Sequence, residues 1–345
     1  MYPIVQNIFL LQTGGTIGSA IDGHCIDIDP TKGDVLIQTY QKSPSHLVNF
    51  EVSRPFTILS ENAVPSHWAE IIDVLKNVDF SQYKGIIITH GSDTLPYTAA
   101  ALSYFFNASP IPIVLVCANY PLGHPKSNGL SNFSGAIDFI LNAEIPGIFA
   151  IYKNSDGKTQ IHLGSRLLEA DWIHDDFQSF GGKPFVISDR HCLNHGQSKL
   201  SPSIEALKNR SFDTIWGNTP NFKRTILGLR AYPGLDYRYI DLKNDPPAAI
   251  LHALYHCGSG NASSSEGFSL ADFIANHPET DHYLISYKNT ESALYTTCLK
   301  LIENGGIPLE NISFEAAITK LYFAYNQSML SPEIYMKKER FFEFL

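Results

Sequence analysis

The 345-residue chain is 44% hydrophobic and 17% charged, a balance that excludes disorder and allows two domains with substantial cores. Its formal charge of −9 and the lack of any run of Lys and Arg exclude nucleic acid as the main partner, because phosphate binding needs clustered basic residues. The five cysteines are scattered without paired or metal-ligand spacing, so they read as reduced packing residues.

Taken in order, the chain opens Met1-Tyr-Pro-Ile-Val-Gln-Asn-Ile8 without the basic stretch of an export signal. No apolar run reaches the roughly 18 residues that span a bilayer, so a soluble, cytoplasmic protein without membrane contact is expected. The stretch Leu10-Leu-Gln-Thr-Gly-Gly-Thr-Ile-Gly18 reads as a buried strand stopped by two glycines. Such an ending is either a plain tight turn or a place where backbone comes close to a ligand at the carboxyl end of a strand. On the second reading Thr16 is the candidate nucleophile, beside Gly15. Residues 19–45 are polar and turn-rich, with Asp22, Gly23, His24, Asp27, Asp29, Pro30 and Gly33, and read as a mobile lid. His24 is either a base or a solvated loop residue.

Strands then alternate with helices. Phe56–Leu59 leads to a helix over Pro65–Val78, Gly85–Thr89 to Thr94–Phe106, and Ile111–Ala118 to Ser131–Asn142, the rhythm of a mostly parallel, doubly wound α/β sheet. Between the second strand and its helix stands His90-Gly-Ser-Asp-Thr94. Ser92 and Asp93 either cap the helix or, with the unpaired N–H groups of its first turn, face an anionic or amide ligand. A hairpin is expected around Asp156-Gly157. Few apolar runs occur around residues 186–222, and 191–222 is read as a linker between an N-terminal domain over 1–190 and a smaller domain over 223–345. The latter alternates strands Thr225–Arg230, Ile250–Tyr255 and Tyr283–Tyr287 with helices Leu270–Asn276, Glu291–Glu303 and Phe314–Asn326. The fold class expected is α/β, with a doubly wound, mostly parallel sheet in the larger domain and a parallel α/β layer in the smaller one. Pro332–Leu345 has a helical charge pattern and an aromatic end that packs on the body or on a partner subunit.

Thr13-Gly-Gly-Thr-Ile-Gly18 and His90-Gly-Ser-Asp-Thr94 resemble the two signature motifs of bacterial-type L-asparaginases of the cytoplasmic kind, the second with Ser92 where Thr is usual. Ser60-Glu-Asn62, Asn128-Gly129 with Asn132, Pro146-Gly147, Pro233-Gly234, Gly258-Ser-Gly-Asn261 and Glu315-Ala-Ala-Ile-Thr-Lys-Leu321 resemble further landmarks of that family. The resemblance implies an amidohydrolase that releases ammonia from the side-chain amide of asparagine without metal or organic cofactor. Thr16, Ser92 and Asp93 are then catalytic. Gly15, Ser60, Glu61, Ser92 and Asp93 bind the substrate, with Ser60 on its α-carboxylate and Asp93 on its ammonium. The resemblance also implies a homodimer or homotetramer in which Asn261 or Glu291 of one chain approaches the site of another. From the residues alone, Gly-Ser-Gly-Asn is equally a turn, and Glu291 equally a helix-start residue.

Two activators of that family are not matched. No Tyr occurs between Gly23 and Tyr40, and the Lys expected a few residues after Arg166 is replaced within Leu167-Leu-Glu-Ala170 by Leu168 or Glu169, depending on register. A Glu there, facing Asp93, would repel it. Asn128 stands where Asp is usual, removing a charge from the other side of the site. Alternatives to asparagine hydrolysis are therefore a catalytically impaired protein that binds an amino acid or a protein partner, and an amidase for another asparagine-like amide.

Overall fold

The structure, a computed structural model, describes residues 5–29, 31–189, 192–195, 199–210, 218–263, 267–286, 293–327 and 329–345, of which 21, 22, 189, 192–195 and 286 are described by their backbone alone. The chain forms two compact units, one of residues 1–219 with 340–342, the other of 220–339 with 343–345. The stretch expected to be a linker therefore divides at Thr219 and Pro220, and its earlier part groups with the first unit.

The first unit contains strands β1 (Gln6–Gln12), β2 (Ser19–Asp22), β3 (Cys25–Ile28), β4 (Val48–Ser53), β5 (Gly85–Thr89), β6 (Pro112–Val116), β7 (Gly147–Lys153), β8 (Thr159–Leu163), β9 (Val186–Asp189) and β10 (Cys192–His195). Its helices are α1 (Lys32–Lys42), α2 (Pro65–Lys76), α3 (Leu95–Phe105), α4 (Gly129–Ala143) and α5 (Ile204–Lys208). Among the described residues one sheet runs β10-β9-β8-β7-β6-β5-β1-β4. It is parallel from β4 through β7 and antiparallel from β7 to β10.

β5 and β6 are buried at every position and β1 from Ile8 onward, as strands covered on both faces must be. Full burial of Ile86, Ile87 and Ile88 contributes about 1.5–3 kcal/mol each. Proline is tolerated in β6 because Pro112 is its first residue.

Two elements differ from the expectation. Ser19–Ile28 forms the antiparallel hairpin β2–β3 and Lys32–Lys42 the helix α1, where a loop without regular elements was expected. The strand expected over Phe56–Leu59 is displaced upstream to β4, and Ile58 makes only an isolated bridge to Gly14. β4 lies at the sheet edge with alternating exposure, so its partly polar sequence disguises it.

The second unit contains β11 (Ile226–Arg230), β12 (Ala249–Ala253), β13 (Asp281–Ser286) and β14 (Gly306–Glu310), with helices α6 (Leu270–Asn276), α7 (Thr296–Glu303), α8 (Phe314–Asn326) and α9 (Pro332–Lys337). The strands form a parallel sheet in chain order. Its core joins Ile250, Leu284, Leu270, Ile274 and Leu301. Strand β14 was not expected, since Pro308 sits inside it; it lies at the sheet edge, where a missing N–H is tolerated. The expected terminal helix is confined to α9. No helix among the described residues is long and apolar enough to cross a membrane.

Candidate active site

The chain passes from β1 to β4 on one side of the sheet and then to β5 on the other, so the strand order reverses between β1 and β5. In open α/β sheets the crevice beyond the carboxyl ends at such a reversal binds ligands. Register aligns those ends: Gln12 lies opposite Thr89, and Thr89 opposite Val116.

Thr13 holds the two strand ends together. Its N–H and its hydroxyl both donate to the Thr89 carbonyl, at 3.2 and 2.8 Å. The chain then turns at Gly14 and Gly15, with φ of 103° and 73°, and enters a short 3-10 turn over Thr16–Gly18. The Gly15 N–H donates to the Ile58 carbonyl at 3.0 Å, which tethers the turn to the segment before Ser60. A Cβ on Gly15 would lie 2.3 Å from the Gly91 nitrogen, and one on Gly91 would lie 2.3 Å from Ser60 Oγ. Three separate stretches thus meet through glycine backbone. Ser60 Oγ is 3.4 Å from Asp93 Oδ2, and the Thr94 hydroxyl donates to the Ser60 carbonyl at 2.9 Å.

Of the residues singled out from the sequence, Gly15, Ser60 and Asp93 meet through these contacts, with Thr16 and Ser92 their neighbours in the chain. Ser60 is buried, Thr16 and Ser92 are half-buried, and Asp93 and Glu61 are exposed. Among the described residues neither the Thr16 nor the Ser92 hydroxyl makes a hydrogen bond, and the Ser92 N–H donates to no backbone acceptor. Glu61 belongs to the 3-10 turn Ser60–Asn62. His24 is exposed at the tip of the β2–β3 hairpin. In the second unit, Asn261 is exposed, with its side-chain oxygen accepting from Ser263 N at 3.3 Å. Glu291 lies outside the described residues.

Burial pushes the Cys117 thiol at the end of β6 well up, and the Asp93 carboxylate adds to the effect, with a smaller contribution from Asp175. The Asp93 charge is therefore felt across the end of β6. Glu169 accepts a hydrogen bond from the Tyr97 hydroxyl in the first turn of α3. Its carboxylate is engaged by a phenol. Asn128 likewise has a use that its sequence position conceals. Asn128 and Asn119 exchange hydrogen bonds, each backbone N–H donating to the other's side-chain oxygen at 3.0 Å, and Asn128 Nδ2 donates to the Lys153 carbonyl at 3.0 Å. A carboxylate has no donor for that last contact. Asn132 repeats the device, donating to the Cys117 carbonyl and accepting from Lys153 N, both at 2.8 Å.

His90 and Trp68 fall within stretches that resemble the family, but neither they nor Thr98 were given a role from the sequence, and the fold joins the three. His90 is buried behind the crevice, with Nδ1 2.8 Å from the Gly91 carbonyl oxygen and Nε2 3.0 Å from Thr98 Oγ1; Trp68 Nε1 donates to that same oxygen at 3.2 Å. Burial lowers the His90 pKa to about 4, so its ring is neutral at pH 7. The available signal was a polar residue closing an otherwise apolar strand.

The family model described as asparaginase, N-terminal, matches residues 7–188. Over 341 residues the chain is 28% identical to a subunit of the glutamyl-tRNA(Gln) amidotransferase of Methanosphaera stadtmanae, covering 96% of this chain and 74% of that one. Among solved structures, the thermostable L-asparaginase from Thermococcus kodakarensis superposes with a TM-score of 0.77 at 23% identity, covering 98% of this chain and 99% of that one. L-asparaginase I from Vibrio cholerae O1 biovar eltor gives 0.77 at 21% identity, covering 99% and 100%; at such identities the likeness is one of fold. With the family model spanning more than half its length, the chain belongs to the asparaginase family.

Proposed function

We propose that the protein hydrolyses the side-chain amide of L-asparagine or a close analogue, with Thr16 as nucleophile. The observation that supports this reading is the backbone contact of Gly15 with Gly91, which brings the turn that carries Thr16 next to the turn that carries Ser92 and Asp93. Thr16 Oγ attacks the amide carbon, forming a C–O bond. The C–N bond then breaks, and ammonia leaves with the hydroxyl proton. Water hydrolyses the resulting ester, restoring Thr16 and yielding the carboxylic acid. The N–H groups at the Thr16 and Ser92 turns stabilise the oxyanion. Ser60 takes the substrate α-carboxylate and Asp93 its ammonium, with Gly15 and Glu61 lining the approach. Neither step calls for a metal or organic cofactor.

The experiment is an ammonia-release assay with asparagine, glutamine and simple amides beside a Thr16→Ala variant. Turnover lost in the variant, with melting unchanged within a few degrees, is expected; turnover retained by Thr16→Ala removes it as nucleophile.

A second reading is favoured by Glu169, which occupies one of the two positions open to the family's Lys and is engaged by Tyr97. On it, the crevice binds an amino acid without turning it over, or works as the amidase of a larger assembly, in keeping with the Methanosphaera stadtmanae relative, which is named as one component of an amidotransferase. Calorimetric binding of asparagine with no ammonia released would select binding alone. We also propose a two-fold homo-oligomer in which Asn261 or Glu291 reaches the partner's crevice. Light scattering that reports a monomer at micromolar concentration would end that proposal.

A further inference from the structure

The network behind the crevice has a direction. The Gly91 carbonyl oxygen can only accept, so His90 Nδ1, 2.8 Å away, carries a hydrogen and donates it. A neutral imidazole holds one N–H. Nε2 is therefore an acceptor, and the Thr98 hydroxyl 3.0 Å away donates to it. The Thr98 oxygen in turn accepts from Trp68 Nε1. Donation thus runs one way, from the Trp68 indole through the Thr98 hydroxyl and the His90 ring to the Gly91 carbonyl. His90, Thr98 and Trp68 are all buried, and the ring is neutral at pH 7 because burial has lowered its pKa to about 4.

The consequence for the crevice follows from peptide geometry. A trans peptide is planar, with its C=O and N–H pointing in opposite directions, and there is no cis bond among the described residues. With the Gly91 carbonyl drawn back to the His90 ring, the Ser92 N–H points the opposite way, away from that ring. It donates to no backbone acceptor among the described residues, and Ser92 itself is half-buried. Gly91 is pinned on its other sides by Gly15 and Ser60, so the peptide has little freedom to rotate.

We infer that His90 is a positioning residue for amide hydrolysis, its Nδ1–H holding the Gly91–Ser92 peptide so that the Ser92 N–H is presented to the developing oxyanion. The inference rests on the amidase reading above and names a residue that never touches substrate. Thr98 and Trp68 act through His90 by fixing its tautomer. Pre-aimed donors stabilise the transition state more than the ground state, so the effect belongs in kcat with KM nearly unchanged.

Two substitutions separate the two faces of the ring. His90→Asn places an amide where Nδ1 stands, keeping the contact to Gly91 and losing the one to Thr98. His90→Gln places its amide where Nε2 stands and does the reverse. Removal of one oxyanion donor costs about 10²–10³ in kcat, and misaiming it in His90→Gln is expected to cost at least about tenfold by the same route. His90→Asn should stay within about threefold of wild type, since the donor is kept aimed. Thermal melts of both variants identify any general damage, which would lower both rates together. Equal kcat in the two variants, or wild-type kcat in His90→Gln, overturns the inference. Thr98→Val should leave Nε2 without a donor and lower kcat part of the way through a less firmly held ring, while Thr98→Ser keeps the contact and the rate. Nitrogen NMR of histidine-labelled wild-type protein at pH 7 reads the tautomer without any turnover: protonated Nδ1 with bare Nε2 is required, and the opposite tautomer overturns the inference. A wild type that releases no ammonia from any amide refutes the amidase reading, and the inferred catalytic role falls with it. The tautomer spectrum then distinguishes that failure from a wrong hydrogen-bond assignment.

Discussion

Gly15 and Gly91 meet backbone to backbone, with no room for a single Cβ at Gly15. Gly15 also has φ 73° and ψ −179°, a conformation essentially restricted to glycine. Gly15→Ala is expected to cost about 3 kcal/mol or more, from backbone strain of about 1–3 kcal/mol and a clash of similar size. Gly91→Ala meets Ser60 instead, so its expected effect is a displaced Ser60 and weakened binding. Denaturant melts with calorimetry separate the two; equal stability of Gly15→Ala and wild type would disprove the close contact.

Asp93 is exposed, and its carboxylate accepts a long hydrogen bond from Ser60 Oγ at 3.4 Å, so it contributes little to stability. If it holds a substrate ammonium, Asp93→Asn loses about 1.5–3 kcal/mol of binding, or roughly tenfold to a hundredfold in affinity, with an unchanged melting temperature. An unchanged calorimetric Kd for asparagine would take Asp93 out of the site.

Asn128 Nδ2 donates to the Lys153 carbonyl, and Asn128→Asp replaces that donor with a charged acceptor. A loss of about 1–3 kcal/mol is expected at pH 7. The gap from wild type should narrow at pH 4, where a protonated carboxyl regains a donor. A gap that stays constant between the two pH values would contradict the clamp.

Acid should destabilise the fold through its buried imidazoles. Burial lowers the His90 pKa from its ordinary 6.5 to about 4, and the His162 and His252 values to about 3. These rings stay neutral in the native protein while the unfolded chain takes up protons near pH 6.5. Their contribution is complete above about pH 6.5 and is lost as pH falls toward 4 and then 3, by about 3 kcal/mol for His90 alone at 1.36 kcal/mol per unit. Urea midpoints should therefore drop between pH 7 and pH 4.5; a flat midpoint would mean that the rings are already protonated in the folded state.

Several features were legible because their signal is local. Ile86-Ile-Ile88 and the apolar residues of β6 announce strands covered on both faces, and alternation with helices announces a parallel sheet. Gly14-Gly15-Thr16 and His90-Gly91-Ser92 mark where strands end in turns. Other features depend on partners distant in sequence. Val48–Ser53 became the edge strand because Phe9 and Leu10 pair with Glu51 and Val52, which no local pattern specifies. The same holds for Arg166, which donates to the carbonyls of Phe342 and Leu200. His90 looked like one polar residue after an apolar strand until the fold placed Thr98 and Trp68 beside its ring.

By itself the sequence determined the most apolar strands, the helices that follow them and the glycine turns that end the strands, because burial periodicity and turn residues are written within a few consecutive residues. Only the tertiary structure decided how those residues face one another. The direction of the Gly91 carbonyl, the phenol on Glu169 and the two-sided clamp at Asn128 are hydrogen bonds between groups 9 to 72 positions apart, or within a turn whose shape such contacts impose. A polar side chain has several donors and acceptors to offer, and which of them is used depends on what folding brings within about 3 Å.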